Sequence, residues 1–190
     1  LSIMHDANHG SYSKSKRINN LLGYLLNIIG GYHINWKIQH NVLHHTYTNI
    51  DGHDEDIAKP VMRFSPNQER RLIYKFQIFY APVLYALMTI YWVTSKDFEQ
   101  IIKYQKRGLL AAQGLTFTQA LTTLTLSKVA YYIILLIIPL IVIPLPWWFI
   151  LIGFLTMHFI CGLTLAFIFQ PAHVVGGTKF YIPDNNHSVE

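Results

Sequence analysis

The chain has 190 residues, 52% apolar, 14% aromatic and only 13% charged, well short of the roughly one quarter charged in a soluble domain, so the composition points to a membrane protein. Its net charge of +5 comes from basic residues spread among acids in the polar segments, as in membrane-flanking loops rather than a nucleic-acid surface. The single cysteine, Cys161, excludes an internal disulfide framework and cysteine-ligated zinc or iron–sulfur sets.

The chain opens on "LSIMHDANHG", with neither a start methionine nor a signal peptide, and stops at "NNHSVE"; it reads as part of a longer protein. Residues 1–75 are mainly polar and hold seven of the ten histidines: His5, His9, His33, His40, His44, His45 and His53. Gly10 and "SYSKSK" end a first helix after His9. "LLGYLLNIIGGYHINWKIQHNVLHH" reads as helix with a bend at Gly30-Gly31, and "TNIDGHDED" as loop.

Three uncharged stretches follow: 18 residues at Phe76–Val93, 17 at Val129–Leu145 and 23 at Trp147–Phe169. A membrane-spanning helix takes about 17–25 residues, so each has the necessary length. A polar segment, 94–127, carries Lys96, Lys103, Lys106 and Arg107. Pro146 separates the last two stretches, which form a hairpin turning at "PLPWW". The fold expected is all-α: a helical integral membrane protein, one domain over 1–190, with a histidine-rich region at 1–75, a spanning hairpin at 129–169 and a segment at 170–190. Tyr80, Tyr85, Tyr91 and Trp92 read as marks of a membrane interface.

Side chains four apart on a helix share a face, about 5–6 Å from one another. His5/His9 and His40/His44 have that spacing, and His45 adds a neighbour. Two such helices side by side aim five imidazoles at one small volume, and neutral imidazole suits iron, zinc, copper and nickel. No histidine precedes Glu as in H-E-x-x-H, and no Glu-x-x-His occurs, which excludes the zinc-protease pattern and the carboxylate-rich di-iron bundle.

"HDANH", "HNVLHH" between "NW" and "TYTN", and "FQPAHVV" together resemble the membrane-bound fatty acid desaturases, closely the linoleoyl-CoA desaturase-like, acyl-lipid ("front-end") branch. The resemblance covers essentially the whole chain. It implies two non-haem irons held by histidines on the cytoplasmic side. The implied reaction inserts a cis double bond into an acyl chain of acyl-CoA or acyl-lipid, using O2 and two electrons from an external donor of ferredoxin or cytochrome b5 type. By that resemblance His5, His9, His40, His44, His45 and His173 are the iron ligands. The family's late box, Q-x2-H-H in this branch, lies beyond residue 190, so residues 1–190 alone are expected to bind iron poorly and to lack activity. "VVGGTKF" after His173 departs from the more acidic run of the family.

Asp54, Asp56 and His53 are candidates to orient ligand histidines through their second ring nitrogen. His33, about 10 Å along the helix from His40, is assigned to packing or to such support. His158 is also assigned to packing, because a continuous helix puts it about 22 Å from His173. Sharing one metal site requires His5–His45 and His173 to lie on one side of the membrane. One apolar stretch therefore does not cross, and 76–93 is the choice for a re-entrant or interfacial helix, with 129–145 the alternative. The rival functions are a related membrane di-iron hydroxylase or ketolase and a non-redox metal-binding membrane protein. No nucleic-acid partner is expected.

Overall fold

The computed structural model describes residues 2–57, 61–173 and 177–183, the side chains of 172 and 173 excepted. Every regular element among them is helical, and one isolated parallel bridge joins Ile50 to Tyr181. Helix α1 (Ser2–Asn8) is followed by Gly10 at φ 76°, a left-handed conformation that turns the chain back. Asn19 of α2 (Lys16–Gly23) fixes the turn, donating to the carbonyls of Gly10 and Ser13 at 2.9 and 2.8 Å and accepting from the Ser13 N–H.

The helix expected across 21–45 is broken into α3 (Leu25–Ile28), α4 (His33–Lys37) and a π-helix, π1 (Ile38–His44). The break falls at Gly30-Gly31. Gly30 has φ 88°, and a Cβ on Gly31 would meet the Trp92 ring at 2.9 Å, so the bend also admits the close approach of Trp92.

In the apolar half, a 3-10 turn (Leu72–Phe76) leads into α5 (Gln77–Ala86). Then come α6 (Met88–Tyr91), a second π-helix, π2 (Trp92–Lys96), and α7 (Asp97–Lys106). The arms Leu72–Ala86 and Met88–Lys106 meet at 52°, the shape of a broken span or a re-entrant loop. After α8 (Leu109–Ala112), α9 (Phe117–Tyr132) opens on a capping box in which Thr116 and Gln119 satisfy each other's backbone N–H. It continues through π3 (Ile133–Ile137) into α10 (Ile138–Val142). The apolar run beginning at 129 is thus the second part of a 26-residue helical stretch, Phe117–Val142. A four-residue turn leads to α11 (Trp147–His173), and both have the length and composition to cross a membrane.

Two polar clusters hold this half together. Lys128 of α9 is buried, and its three ammonium protons face the Asp97 carboxylate at 2.5 Å, the Gly30 carbonyl at 2.5 Å and the Trp92 carbonyl at 3.2 Å. Asp97 also accepts from Trp92 Nε1 and Asn35 Nδ2, so the pair clamps α9 to α7, π2, α4 and the glycine bend. His158 of α11 is 1% exposed. Its Nδ1 bonds Thr89 Oγ1 at 3.0 Å and its Nε2 bonds Tyr131 O–H at 3.1 Å, joining α11 to α6 and α9. Gly162 brings α11 against α5, where a Cβ would collide with the Tyr85 and Ala86 carbonyls. Trp92, read from sequence as an interface marker, is instead 7% exposed in a small core with Met4, Leu26 and Leu165, which forms the floor of the histidine site.

Candidate metal centre

The two histidine pairs sit on different kinds of turn. His5 lies on α1 and His9 just past its end. His40 and His44 lie on π1, with His45 next, rather than on the α-helix expected. Hydrogen bonding from i to i+5 widens a π-turn, so residues i+4 and i+5 both return toward residue i. The H-x3-H-H spacing fits this geometry: the His40 and His44 rings stack at 5.4 Å and 16°, and His45 meets His40 edge-on at 4.7 Å.

Helix α1 packs its own pair against this turn. His5 and His9 are 4.5 Å apart between ring centroids, His5–His40 5.1 Å, His9–His40 5.2 Å and His9–His45 4.9 Å. His5 Nε2 and His40 Nε2 stand 3.1 Å apart. One nitrogen from each of His5, His9 and His40 falls within 4.8 Å of the others, as do ring nitrogens of His40 and His44 and a carboxylate oxygen of Asp56. Five of the expected ligands therefore converge. The backbone of His173 ends α11, but its side chain lies outside the described residues.

Carboxylates face the Nδ1 edges. His44 Nδ1 meets both Asp54 oxygens at 3.1 and 3.0 Å, and Asp54 is fully buried, accepting also from the N–H groups of Asn49 and Asp56. Asp56 lies 3.7 Å from His40 Nδ1 and 3.6 Å from His44 Nδ1. His53 meets the Asp51 carbonyl and packs on Tyr47. His33 bonds Asn27 Oδ1 and packs on Tyr24 and Tyr32.

Charge is distributed unevenly among these rings. Burial, then the neighbouring His5, His40 and His45, lower the His9 pKa to about 4. Burial and the same crowding lower that of His45. Burial opposes charge on His44 too, but the Asp54 hydrogen bond and the Asp56 and Asp54 charges outweigh it, and its pKa is raised. At neutral pH His9 and His45 are neutral imidazoles, the form that binds metal.

Sequence reasoning missed the support behind Asp56. Gln39, on the turn with His40, donates to Asp56 and accepts from Gln100 Nε2 of α7 at 2.6 Å. Gln100 in turn reaches Tyr104 and Glu55, and Lys103 pairs with Glu55. The only sequence signal was the i,i+4 spacing of Gln100 and Tyr104, which is common on helices. Apolar walls close the other side. Trp36 stacks on His40 at 4.4 Å, Phe169 stacks on His5 at 6.3 Å, and a cavity of about 130 Å³ lined by Met4, Leu26, Met88 and Leu165 reaches His40 and Asp56.

Convergent imidazoles, carboxylates on their outer nitrogens and an adjoining apolar cavity on an all-helical chain define a membrane protein with a histidine-based candidate metal centre. The fatty acid desaturase family model matches residues 1–189, and the chain belongs to that family. It is 35% identical to the sn-1 linoleoyl-lipid 6-desaturases of Synechocystis sp. and Arthrospira platensis, over 96% and 98% of this chain and 50% of each relative. It is 30% identical to an acyl-lipid (8-3)-desaturase of Physcomitrium patens, over 97% of this chain and 38% of the relative. The chain thus spans about half the length of the first two relatives or less of the third. No solved structure matches.

Proposed function

We propose that this chain carries the iron-binding part of a desaturase that inserts a cis double bond into the acyl chain of a membrane lipid. The observation that carries this reading is the convergence of His5, His9, His40, His44 and His45 beside an apolar cavity. The donor set fits two irons: imidazoles crowd within bonding range of common points, and Asp54 and Asp56 face the opposite ring edges, where they fix tautomer and orientation. His173 completes the proposed ligands. It stands four residues beyond Phe169, which stacks on His5, and positions four apart share a helix face.

When bound, the irons would activate O2, with two electrons from an external donor of ferredoxin or cytochrome b5 type, to oxidise an unactivated methylene pair that no side-chain base can deprotonate. The chain's own residues do the rest. Met4, Leu26, Met88, Leu165 and Phe169 seat a short stretch of the acyl chain and exclude water. Asp54 holds the His44 Nδ1 proton, which leaves Nε2 as the ligand atom. Asn41 Nδ2 ties π1 to the Asn8 carbonyl at 2.9 Å, fixing α1 against the turn.

The site and the end of α11 lie together, which favours an even number of crossings between them: α9–α10 and α11 cross, and the 52° pair is re-entrant. We assign the site to the cytoplasmic face. The test is iron content and product mass for the intact protein. Iron with loss of two hydrogens supports desaturation, gain of one oxygen supports the hydroxylase reading, and stoichiometric zinc with undiminished activity overturns the iron site.

A further inference from the structure

A second cavity, of about 290 Å³, opens on the other side of His9 and has a different chemistry. Lys14, Lys16 and Lys37 line it together with Ser13 and Asn20, and among the described residues none of the three lysines forms an ion pair. The eight-residue α2 starts there. Its N-cap, Ser15, makes no side-chain capping bond, so the first-turn N–H groups and the positive helix end add to the field of the lysines. Burial, and then the charge of Lys16, lower the Lys37 pKa, a crowding of cations that an anion would relieve.

The flank of this cavity is apolar and outward-facing. Ile18, Leu21, Leu25 and Ile28, spaced three or four apart along α2 and α3, are 46%, 71%, 39% and 62% exposed. An amphipathic segment with basic residues at its polar end matches one that lies in the bilayer interface, apolar side down, with lysines at the level of lipid headgroups.

We propose that the Lys14–Lys16–Lys37 cavity binds the phosphodiester of an anionic phospholipid headgroup. This rests on the acyl-lipid reading above and narrows it. Because His9 lines the cavity and also belongs to the imidazole cluster, a lipid anchored there enters with its headgroup-proximal carbons beside the metal centre. The three cations and the α2 N-terminus take the phosphate oxygens, and the apolar side of α2–α3 lies against neighbouring acyl chains.

The test is a binding measurement on the intact protein in detergent, stripped of metal, with short-chain phosphatidylglycerol and a short-chain neutral galactolipid of the same acyl length. Phosphatidylglycerol should bind more tightly. Lys14→Gln and Lys16→Gln should each weaken it about fivefold, the equivalent of about 1 kcal/mol per lysine near a membrane surface. Lys37→Gln should act similarly. If that half-buried position disturbs folding by circular dichroism, the Lys14/Lys16 double variant carries the test. Lys106→Gln, an exposed α7 lysine outside the cavity, should change nothing. Inorganic phosphate should compete weakly. Equal affinity for the galactolipid, unchanged phosphatidylglycerol binding in the double variant, or competition by inorganic phosphate as effective as the lipid would each overturn the headgroup site. Because no iron or turnover is involved, failure here leaves the desaturase reading standing, and loss of desaturation with lysine-dependent binding intact would sink that reading alone.

Discussion

His158 and His40 are both buried histidines of one chain, and their hydrogen bonding differs in kind. At His158 the ring is satisfied on both edges: Nδ1 pairs with Thr89, Nε2 accepts from Tyr131, and Thr89 donates to the His158 carbonyl. Such a ring has no lone pair left for a ligand, and its work is to join three helices. At His40 the Nε2 atom faces the Nε2 of His5 at 3.1 Å, with His9 and His45 close by. Two like nitrogens in that position are reconciled only by a proton or a cation between them. The comparison separates a structural histidine from a ligand by what its nitrogens face, since neither is more than 9% exposed.

The largest effect expected from breaking the comparison is at the cluster. His44→Ala or His45→Ala in the intact protein should reduce iron to background and abolish unsaturated product together. His158→Ala should keep iron near the parent level. Metal analysis beside product analysis checks this, and loss of iron in His158→Ala with retention in His44→Ala would invert the assignment.

The five-histidine set was legible because its spacing is local and two helical periods suffice to align it. The π-turn under His40 to His45 was not, since the contacts around it, Ile38 and Leu43 against Ile101 and Tyr104 of α7 and Asn41 on the Asn8 carbonyl, are distant in sequence. Nor was the pairing of Asp54 and Asp56, both named from their loop, with particular rings. Only the fold of that loop puts Asp54 on His44 and Asp56 beside both His40 and His44, and sends Asp51 to Ser65. Lys128 was passed over for a simpler reason: it stands between the polar segment ending at 127 and the apolar run beginning at 129. A charge inside a helix of that length faces a partner, and the partner, Asp97, is 31 residues away and invisible to periodicity.

That pair supplies the second effect. Lys128→Ala leaves Asp97 buried without its cation, and breaking a buried pair in this way costs about 3–5 kcal/mol. A thermal melt in detergent should register the loss. Replacing both residues by apolar ones of similar volume should recover most of it, and a double variant as unstable as the single would mean that Asp97 is not left uncompensated. A smaller effect is expected at Gly162→Ala, where the new Cβ must push α11 off the Tyr85 and Ala86 carbonyls. Overpacking of this kind costs about 1–3 kcal/mol. The melt should fall without loss of iron, because the contact is remote from the imidazoles.

The smallest effect is a pH slope, and it probes the unequal charging of the cluster. His9 has its pKa lowered to about 4, and that of His45 is lowered as well, so near neutrality neither has a proton to surrender to a metal. His44, raised above its ordinary value by Asp54 and Asp56 against the cost of burial, does. Metal binding should therefore displace the His44 proton near neutral pH, and that ligand's contribution to affinity should weaken about tenfold per pH unit below the raised His44 value. For the metal-free fold the signs differ. His44 contributes stability that is complete below its unfolded pKa and is lost as the pH rises through the raised folded value. His9 does the reverse, its contribution falling away as the pH drops from the unfolded value toward about 4. Asp54→Asn removes the main support of the His44 charge while keeping a hydrogen-bond acceptor. Cobalt affinity titrated from pH 8 to pH 5 should fall more steeply in the parent than in Asp54→Asn, whose affinity should be about 10- to 100-fold weaker at pH 8. Parallel slopes in the two proteins would remove Asp54 from the account of how His44 is held.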